Sequence, residues 1–536
     1  MQETQSALNR YLKLSRLLTP DRLLNRAVQW AKINQLRDQQ EYKWGAGFSN
    51  SPPSDTVVGR DSVWYLMGSS YYAQPWSRRL LDFWFSRGVD PNGKFTEYMS
   101  ASRDPFFKDD YGLNINDGTP LFMIAACHYY SLTKDRDFLH RVYPLLLNSA
   151  NLILDQRKIG TSNRFNLVWC NSTETFVRGL CGWRNAIRDY NLSGAVTEVN
   201  VECYYALKKI SELAKEVGDQ LNQERLETAA EDLRKAINKH LRSSTKKNPF
   251  YYLNISPAGD PVDDLTGDLL FPVLFEIADS AIAAEILQTL FSDQFWISTD
   301  NGGGGIRTVG SNEKKYTPRA DPVTYGLMGG VWPNVALWAG RAAAARGFPD
   351  MALKALRGTY LLSERDNPAR YNVMPGQLPE YFNGDDLMQR GQPRSTFLFG
   401  IFIWAALESF LGLKPSPTSL EVEPQLPEGW EWAAVSHLPY RGYPLSMIAV
   451  RNEKTIYSTR RIQTGWRQVT VPLALQEKYA LHSAGQPFWM VVPRGEDNEL
   501  LAASPEATTA QLIELGSDRV VAELAIPENR LVRKML

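Results

Sequence analysis

Between about residues 20 and 415, apolar positions recur at steps of three and four. Leu207, Ile210, Ala214 and Val217 form one stripe, and Leu226, Ala230, Leu233 and Ile237 form the next. Two consecutive amphipathic helices, a helical hairpin, are therefore predicted. The same period runs through "DRLLNRAVQWAKINQLR", "SRRLLDFWFSRG", "TPLFMIAACHYYSL", "FLHRVYPLLLNSANLILDQR", "SAIAAEILQTLFS", "NVALWAGRAAAARG", "PDMALKALRGTYLLSE" and "STFLFGIFIWAALESFLG". Long connections rich in Gly, Pro, Asn and Asp separate these segments. They exceed what helix connections need, so they are candidates for carrying function. About a dozen helices with elaborated loops predict a mainly α fold, the alternating ring of an (α/α)6 toroid; the chain lacks the strict period of an open solenoid.

The pattern changes after "GLKPSPTSL". Pro415 and Pro417 read as a linker, and "LEVEPQLPEG", "LSMIAVRN", "KTIYSTRRI" and "RQVTVPLAL" alternate polar and apolar residues between Gly, Pro and Asn. Short alternating runs of this kind predict a smaller C-terminal β-sandwich. The expected division is a helical domain over 1–415 and a β-sandwich over 416–536. A chain of 536 residues is also too long for one ordinary core.

Composition narrows the partners. Lys+Arg and Asp+Glu are both 59, so no long-range field draws in nucleic acid or an anionic membrane, and a neutral ligand is expected. The 15 Trp and 24 Tyr exceed ordinary core needs and favour a ligand with apolar ring faces, such as a sugar. Cys127, Cys170, Cys181 and Cys203 lack the spacing of a metal site or a disulfide framework. The N-terminus has no long apolar run, which predicts a cytoplasmic protein. Composition leaves the oligomeric state open.

Four loops hold candidate chemistry. In "VVGRDSVWYLMG", Arg60 and Asp61 precede an apolar helix; the plain alternatives are Asp61 as an N-terminal cap and Arg60 on the surface. In "NINDGTPLF", Asp117 stands at a similar cap position. "NGGGGIRTVG" suits a backbone that approaches a ligand closely, and the Trp332–Pro333 corner follows it. In "NVMPGQLPEYFNGDDL", Glu380 stands between Pro379 and the aromatics Tyr381 and Phe382, ahead of an Asn-Gly turn. A carboxylate held in such a half-apolar wall can activate water.

Taken in order, "GRDS", "NDGTPLF", "GIRTV", "YGLMGGVWPN" and "LPEYFNGD" resemble the amylo-α-1,6-glucosidase and glycogen-debranching glucosidase-like (α/α)6 glycoside hydrolases. Similarity to the mannosylglycerate hydrolase-like and α-L-rhamnosidase families is weaker. The resemblance implies an exo-acting, inverting hydrolase that removes a terminal α-linked glucosyl-type unit from a neutral oligosaccharide or small glycoside, with no metal or cofactor. Inversion needs two carboxyl groups about 6.5–9.5 Å apart, one protonating the leaving oxygen and one activating water. Glu380 is the implied base. Arg60, Asp61, Asp117, Trp183, Glu198, Trp332 and Tyr381 are the implied sugar contacts.

The proton donor departs from the family pattern. Where relatives place an aspartic acid in a Gly-Trp-x-Asp or Gly-x-Asp-Asn run, this chain reads "GWRNAIRD", with Arg184 and Asn185, beside an exposed-looking Trp183. A guanidinium or an amide cannot serve as general acid. Asp189, one helical turn beyond Asn185, is the first candidate, with Glu198 and Glu174 as alternatives. Loss of the donor would leave a catalytically silent carbohydrate-binding or regulatory protein.

Overall fold

The computed structural model describes residues 2–49, 54–110, 115–158, 162–170, 182–184, 192–317 and 326–536. Within them, besides the helix Gln2–Lys13 and the single turns Ser162–Phe165 and Pro368–Tyr371, twelve helices pack together in the first part of the chain: α1 (Arg22–Arg37), α2 (Gly59–Ser69), α3 (Gln74–Phe83), α4 (Gly118–Thr133), α5 (Arg136–Gln156), α6 (Thr197–Val217), α7 (Gln220–His240), α8 (Phe271–Leu274), α9 (Ser280–Leu290), α10 (Pro333–Ala345), α11 (Pro349–Leu361) and α12 (Thr396–Phe410).

The even-numbered helices form an inner set, in which α2 packs on α4, α4 on α6, α6 on α8, α8 on α10, α10 on α12, and α12 back on α2. The odd-numbered helices lie outside them, α3 against α2 and α4, α5 against α4 and α6, α11 against α10 and α12. This order follows from sequence. Residues 118–132 of α4 and all of α12 are buried around the whole helix circumference, as apolar composition on every face requires. Where α2 crosses α12, a Cβ on Gly68 would lie 2.3 Å from the Gly400 carbonyl oxygen, so the two backbones touch because both residues are glycine.

The hairpin of α6 and α7 forms as the apolar stripes predict. Leu207, Ile210, Leu226, Leu233 and Ile237 are fully buried, whereas Val217, at the end of its stripe, is exposed. Gly218 closes α6 at φ 78°, and the Asp219 side chain then accepts from the Asn222 backbone N–H. No described helix is long and apolar enough to cross a membrane.

Beyond α12 the chain is rich in strands. With β1 (Arg16–Leu18) these are β2 (Trp432–Tyr440), β3 (Tyr443–Val450), β4 (Thr455–Ser458), β5 (Arg467–Thr470), β6 (Tyr479–Ser483), β7 (Phe488–Arg494), β8 (Asp497–Ala503), β9 (Thr508–Glu514), β10 (Arg519–Ile526) and β11 (Leu531–Met535). Their sheets run β1-β2-β3-β4-β5, β7-β8-β11 and β6-β9-β10. A two-sheet sandwich was expected, and three stacked layers are found instead. Ala433 and Val435 of β2 face the helical core, while Trp432 and Ala434 face β7. Leu501 and Ala503 of β8 join that second layer, and Leu500 and Ala502 point away from it into a third. The middle sheet is buried on both faces, which is why β8 reads "LLAA" without alternation.

Two other expectations are corrected. In "LEVEPQLPEG" only Leu420–Val422 is a strand, paired with Leu413–Pro415 across the expected linker. In "RQVTVPLAL", the strand ends at Thr470, and Leu473–Gln476 is a short helix.

Candidate active site

The candidate residues stand at the N-terminal ends of the inner helices. Arg60 is the second residue of α2, Asp117 immediately precedes α4, Glu198 is the second residue of α6, and Trp332 immediately precedes α10. Four outer helices are capped by Asp side chains, namely Asp21, Asp135, Asp219 and Asp279. None of the six inner helices has a side-chain N-cap hydrogen bond among the described residues. Their first-turn N–H groups and helix dipoles therefore give this end of the ring a surplus of donors.

Arg60 is buried, which overturns the surface alternative. Its guanidinium engages both oxygens of Asp117, donates to the Gly182 carbonyl at 2.8 Å and stands 3.5 Å from Glu97. Asp117 thus occupies a cap position without capping, because its carboxylate is committed to Arg60. Asp61 is no cap either. It sits half-buried in the first turn of α2, and Val58 is the N-cap residue.

Gly182 passes the contact on. The Trp183 backbone N–H donates to both Glu198 carboxyl oxygens, at 3.1 and 3.2 Å. A Cβ on Gly182 would lie 2.0 Å from Glu198 Oε2, so glycine is required there by close approach. Trp183, expected to be exposed, has a relative exposure of 4%. Its indole N–H donates to Asp268 at 2.8 Å, and its ring meets Trp332 edge-on at 5.8 Å.

Trp332 in turn stacks on Tyr381, with centroids 5.2 Å apart and planes 10° from parallel. Backbone pairing sets this contact: Val331 and Phe382 exchange hydrogen bonds of 2.8 and 2.9 Å, which brings residues 332 and 381 side by side. Glu380 follows directly. Its N–H donates to the Gln392 carbonyl at 2.9 Å, and its Oε2 accepts from the Gln392 N–H at 3.0 Å, so the carboxylate is half-buried and held in one orientation. A Cβ on Gly391, at φ 60°, would lie 2.7 Å from that same oxygen.

Arg184, one of the two residues standing where an aspartic acid was expected, is fully buried and fully employed. It donates from Nε to Asp268 at 2.7 Å, from Nη1 to the Leu327 carbonyl at 2.5 Å, and from Nη2 to the Thr308 carbonyl. Asp189, Glu174 and Asn185 lie outside the described residues.

Four polar residues of this cluster were not found from the sequence. Asp268 and Glu97 are two. Among the described residues, Asn116 has no hydrogen-bond partner for either amide atom and Glu202, one turn beyond Glu198, none for either carboxyl oxygen, although both residues are buried. Glu198 and Glu202 were legible as an i, i+4 acid pair on the buried stripe of α6. Asp268 stands before "LLFPVLF", the same acid-then-apolar signal as Asp61 and Asp117. Burial pushes the Glu198 carboxyl well above the usual carboxylate range, helped by Asp117 and Asp268 and opposed by Arg60 and the Trp183 N–H. Glu202 rises in the same way, from burial first and then from Glu198 and Asp117. The glycine run, by contrast, meets protein and not an open site. A Cβ on Gly304 would lie 2.5 Å from the Ile297 carbonyl oxygen, and one on Gly305 2.6 Å from Val331.

The fold has solved relatives of low identity. A sialidase superposes with TM-score 0.63 at 14% identity over 83% of this chain, and a GH78 family rhamnosidase of a Bacillus species with TM-score 0.58 at 17% over 85%. This chain spans 39% and 43% of the length of those two proteins. A GH63 mannosylglycerate hydrolase from Thermus thermophilus, in complex with glucose, superposes with TM-score 0.53 at 15% identity over 71% of this chain and 99% of its own. No curated protein matches the chain. Residues 58–392 match the model of the mannosylglycerate hydrolase MGH1-like glycoside hydrolase domain, well over half of the chain, and the chain belongs to that family.

Proposed function

We propose that the chain is an exo-acting, inverting glycoside hydrolase that releases a terminal α-linked glucosyl-type unit from a neutral oligosaccharide or small glycoside, with Glu380 as the base that activates water. The helical part is read as an (α/α)6 toroid, supported by the return of α12 onto α2. One observation carries the functional reading. Side chains from distant segments meet at the donor-rich end of the inner helices, in a chain of contacts from Asp117 through Arg60, Gly182 and Trp183 to Glu198, Asp268, Trp332 and Tyr381. The tryptophans and Tyr381 suit the apolar face of a pyranose, and Asp117 holds Arg60 beside them as a polar group for its hydroxyls. The specificity resembles either the amylo-α-1,6-glucosidase group or, given the family match, a small hexosyl glycoside of the mannosylglycerate kind. A cytoplasmic location goes with this reading.

For the acid, Asp189 remains the candidate from sequence, and burial raises the Glu198 pKa in the direction the role demands. Glu380→Gln should abolish turnover of an α-glucosyl substrate, and NMR of the first product should show the β-anomer. Turnover that survives the substitution refutes Glu380 as base. Loss of the donor should slow an alkyl glycoside about 10²–10⁴-fold while sparing a dinitrophenyl glycoside, whose leaving group needs no proton; Asp189→Asn and Glu198→Gln identify the donor by this split.

A second reading has its own observation. Arg184, which with Asn185 stands where the resemblance implies the acid, is locked by Asp268, so a silent carbohydrate-binding protein is the alternative. Sugar binding without hydrolysis of even the dinitrophenyl glycoside would establish it.

A further inference from the structure

At the other end of the ring, where the inner helices finish, lies a cavity of about 660 Å³. It reaches between the inner helices as far as Val63 and Trp64 of α2 and Leu121 of α4, the later turns of α4, α6, α10 and α12 complete its walls, and the segment 414–419 crosses its rim. Its volume falls in the range of about 300–1,000 Å³ typical of small-molecule sites, and it lies between packed helices, a common place for them.

The cavity is built in advance. Arg441, in the turn between β2 and β3, donates to the carbonyls of Ser416, Pro417 and Thr418 at 2.9–3.1 Å and fixes the rim. Deeper in, Arg341 donates to Glu408 at 2.8 Å, and Glu408 accepts from Tyr71 at 2.7 Å. Lys209 pairs with Glu212 at 3.0 Å, and Lys414 with Glu421 at 3.0 Å. The lining holds five cations, Lys209, Lys215, Arg341, Arg346 and Lys414, against four carboxylates, Glu212, Glu276, Glu408 and Glu421. The carbonyl ends of the inner helices add partial negative charge to this near balance. A net ion gains little in such a place.

A neutral ligand with many hydroxyls gains more. Each hydroxyl both donates and accepts, and locked Arg–Glu and Lys–Glu pairs offer fixed groups of both kinds. Trp404 is buried, lines the cavity, and its indole N–H has no acceptor among the described residues. His128 Nε2 donates to the Met67 carbonyl at 3.1 Å, which leaves Nδ1 to accept. Burial lowers the His128 pKa, so the neutral ring is the form present at neutral pH. Trp64 and Trp404, with centroids 5.7 Å apart and planes tilted by 47°, supply apolar ring surface against which a pyranose can pack.

We propose that this cavity is a second carbohydrate site, taking a neutral mono- or disaccharide at the end of the ring opposite Glu380. The test uses full-length Glu380→Gln protein, so that no substrate is consumed, titrated with D-glucose and maltose by calorimetry and saturation-transfer NMR. Inorganic phosphate and spermidine serve as charged probes. Ala345→Trp fills the exposed mouth without removing a contact, and Lys209→Met removes one donor.

Each substitution should weaken one class of sugar sites about tenfold or more, with Tm held within about 2 °C. In the Glu380 background, turnover of an activated aryl glycoside should be unchanged, which separates this site from the proposed catalytic one. If Ala345→Trp lowers Tm further, Lys209→Met decides. Sugar binding indifferent to Lys209→Met, a single class of sites, or phosphate or spermidine binding here in place of sugar would each overturn the proposal.

Discussion

Arg60 carries one positive charge into a pocket shared with Asp117, Glu97, Glu198 and Glu202. Its bidentate grip is on Asp117. Burial, together with the neighbouring carboxylates, pushes the Glu198 and Glu202 carboxyls well above the usual carboxylate range. For Glu202 the folded-state pKa lies above its ordinary value of 4.5, so the folded protein binds this proton more tightly than the unfolded chain does. Stability from that proton is present below about pH 4.5 and is lost as pH rises toward the folded pKa. Glu202→Gln keeps the shape and removes the titration, so Tm should rise by about 2–4 °C at pH 8 and change little at pH 4. A lower Tm at pH 8 would show that an ionised Glu202 is paired. Gly182→Ala is a sharper lesion, because its Cβ would sit on Glu198 Oε2. It should cost about 1–3 kcal/mol in chemical denaturation and suppress turnover, since Arg60 and Glu198 both bond to the 182–183 backbone.

At the scale of elements, β1 ties the start of the chain to its end. Its three residues pair with Ala434–Ser436 of β2, Leu17 enters the helical core, and Leu18 enters the β-layers. Lys32 of α1 is buried and donates to the carbonyls of Leu14 and Ser15 at 2.6 and 2.9 Å. Deleting residues 1–18 should therefore destabilise the protein by about 3–6 kcal/mol from the two leucines alone, read as a lowered denaturation midpoint; an unchanged midpoint would mean the strand is an ornament. None of this was legible in "SRLLT", because two apolar residues carry no period and their partner lies more than 400 positions away. The helices were legible because each buries a stripe or a whole surface, as the α6–α7 hairpin shows. The three β-layers were half legible: short apolar runs between turns mark β3, whereas "MIAV" in β3 and "LLAA" in β8 signal burial on two faces and were not read so. At the candidate site, charged residues before apolar helices pointed to Arg60 and Asp117, the Trp-Pro corner to Trp332 and the half-apolar loop to Glu380, whereas Glu198 came from the family resemblance. The commitment of Arg184 to Asp268 depends on a contact 84 positions away and has no local signal.

For the whole molecule, the β-layers belong to the core and are no detachable appendage. Ala433, Val435, Leu438, Leu445, Met447 and Ile456 of β2–β4 are continuous with the helical core, and the remaining β-layers stack outward from there. Polar ties cross the same junction. Arg441 donates its N–H to the Leu132 carbonyl at 2.7 Å, and Gln74 donates to the Pro439 carbonyl at 2.9 Å. At about 25 cal/mol per Å² of apolar surface, six buried side chains of this size amount to several kcal/mol, comparable to the whole stability of a domain. A chain ending at residue 415 should therefore expose an apolar face on α4, bind a hydrophobic dye, and aggregate or melt far below the full-length protein. The intact chain should unfold in one calorimetric transition, its ring and inner β-sheet sharing a core. Two separate transitions, or a soluble 1–415 chain that keeps sugar binding and the full-length Tm, would show instead that the ring is self-sufficient and that the contact with β2–β4 contributes little.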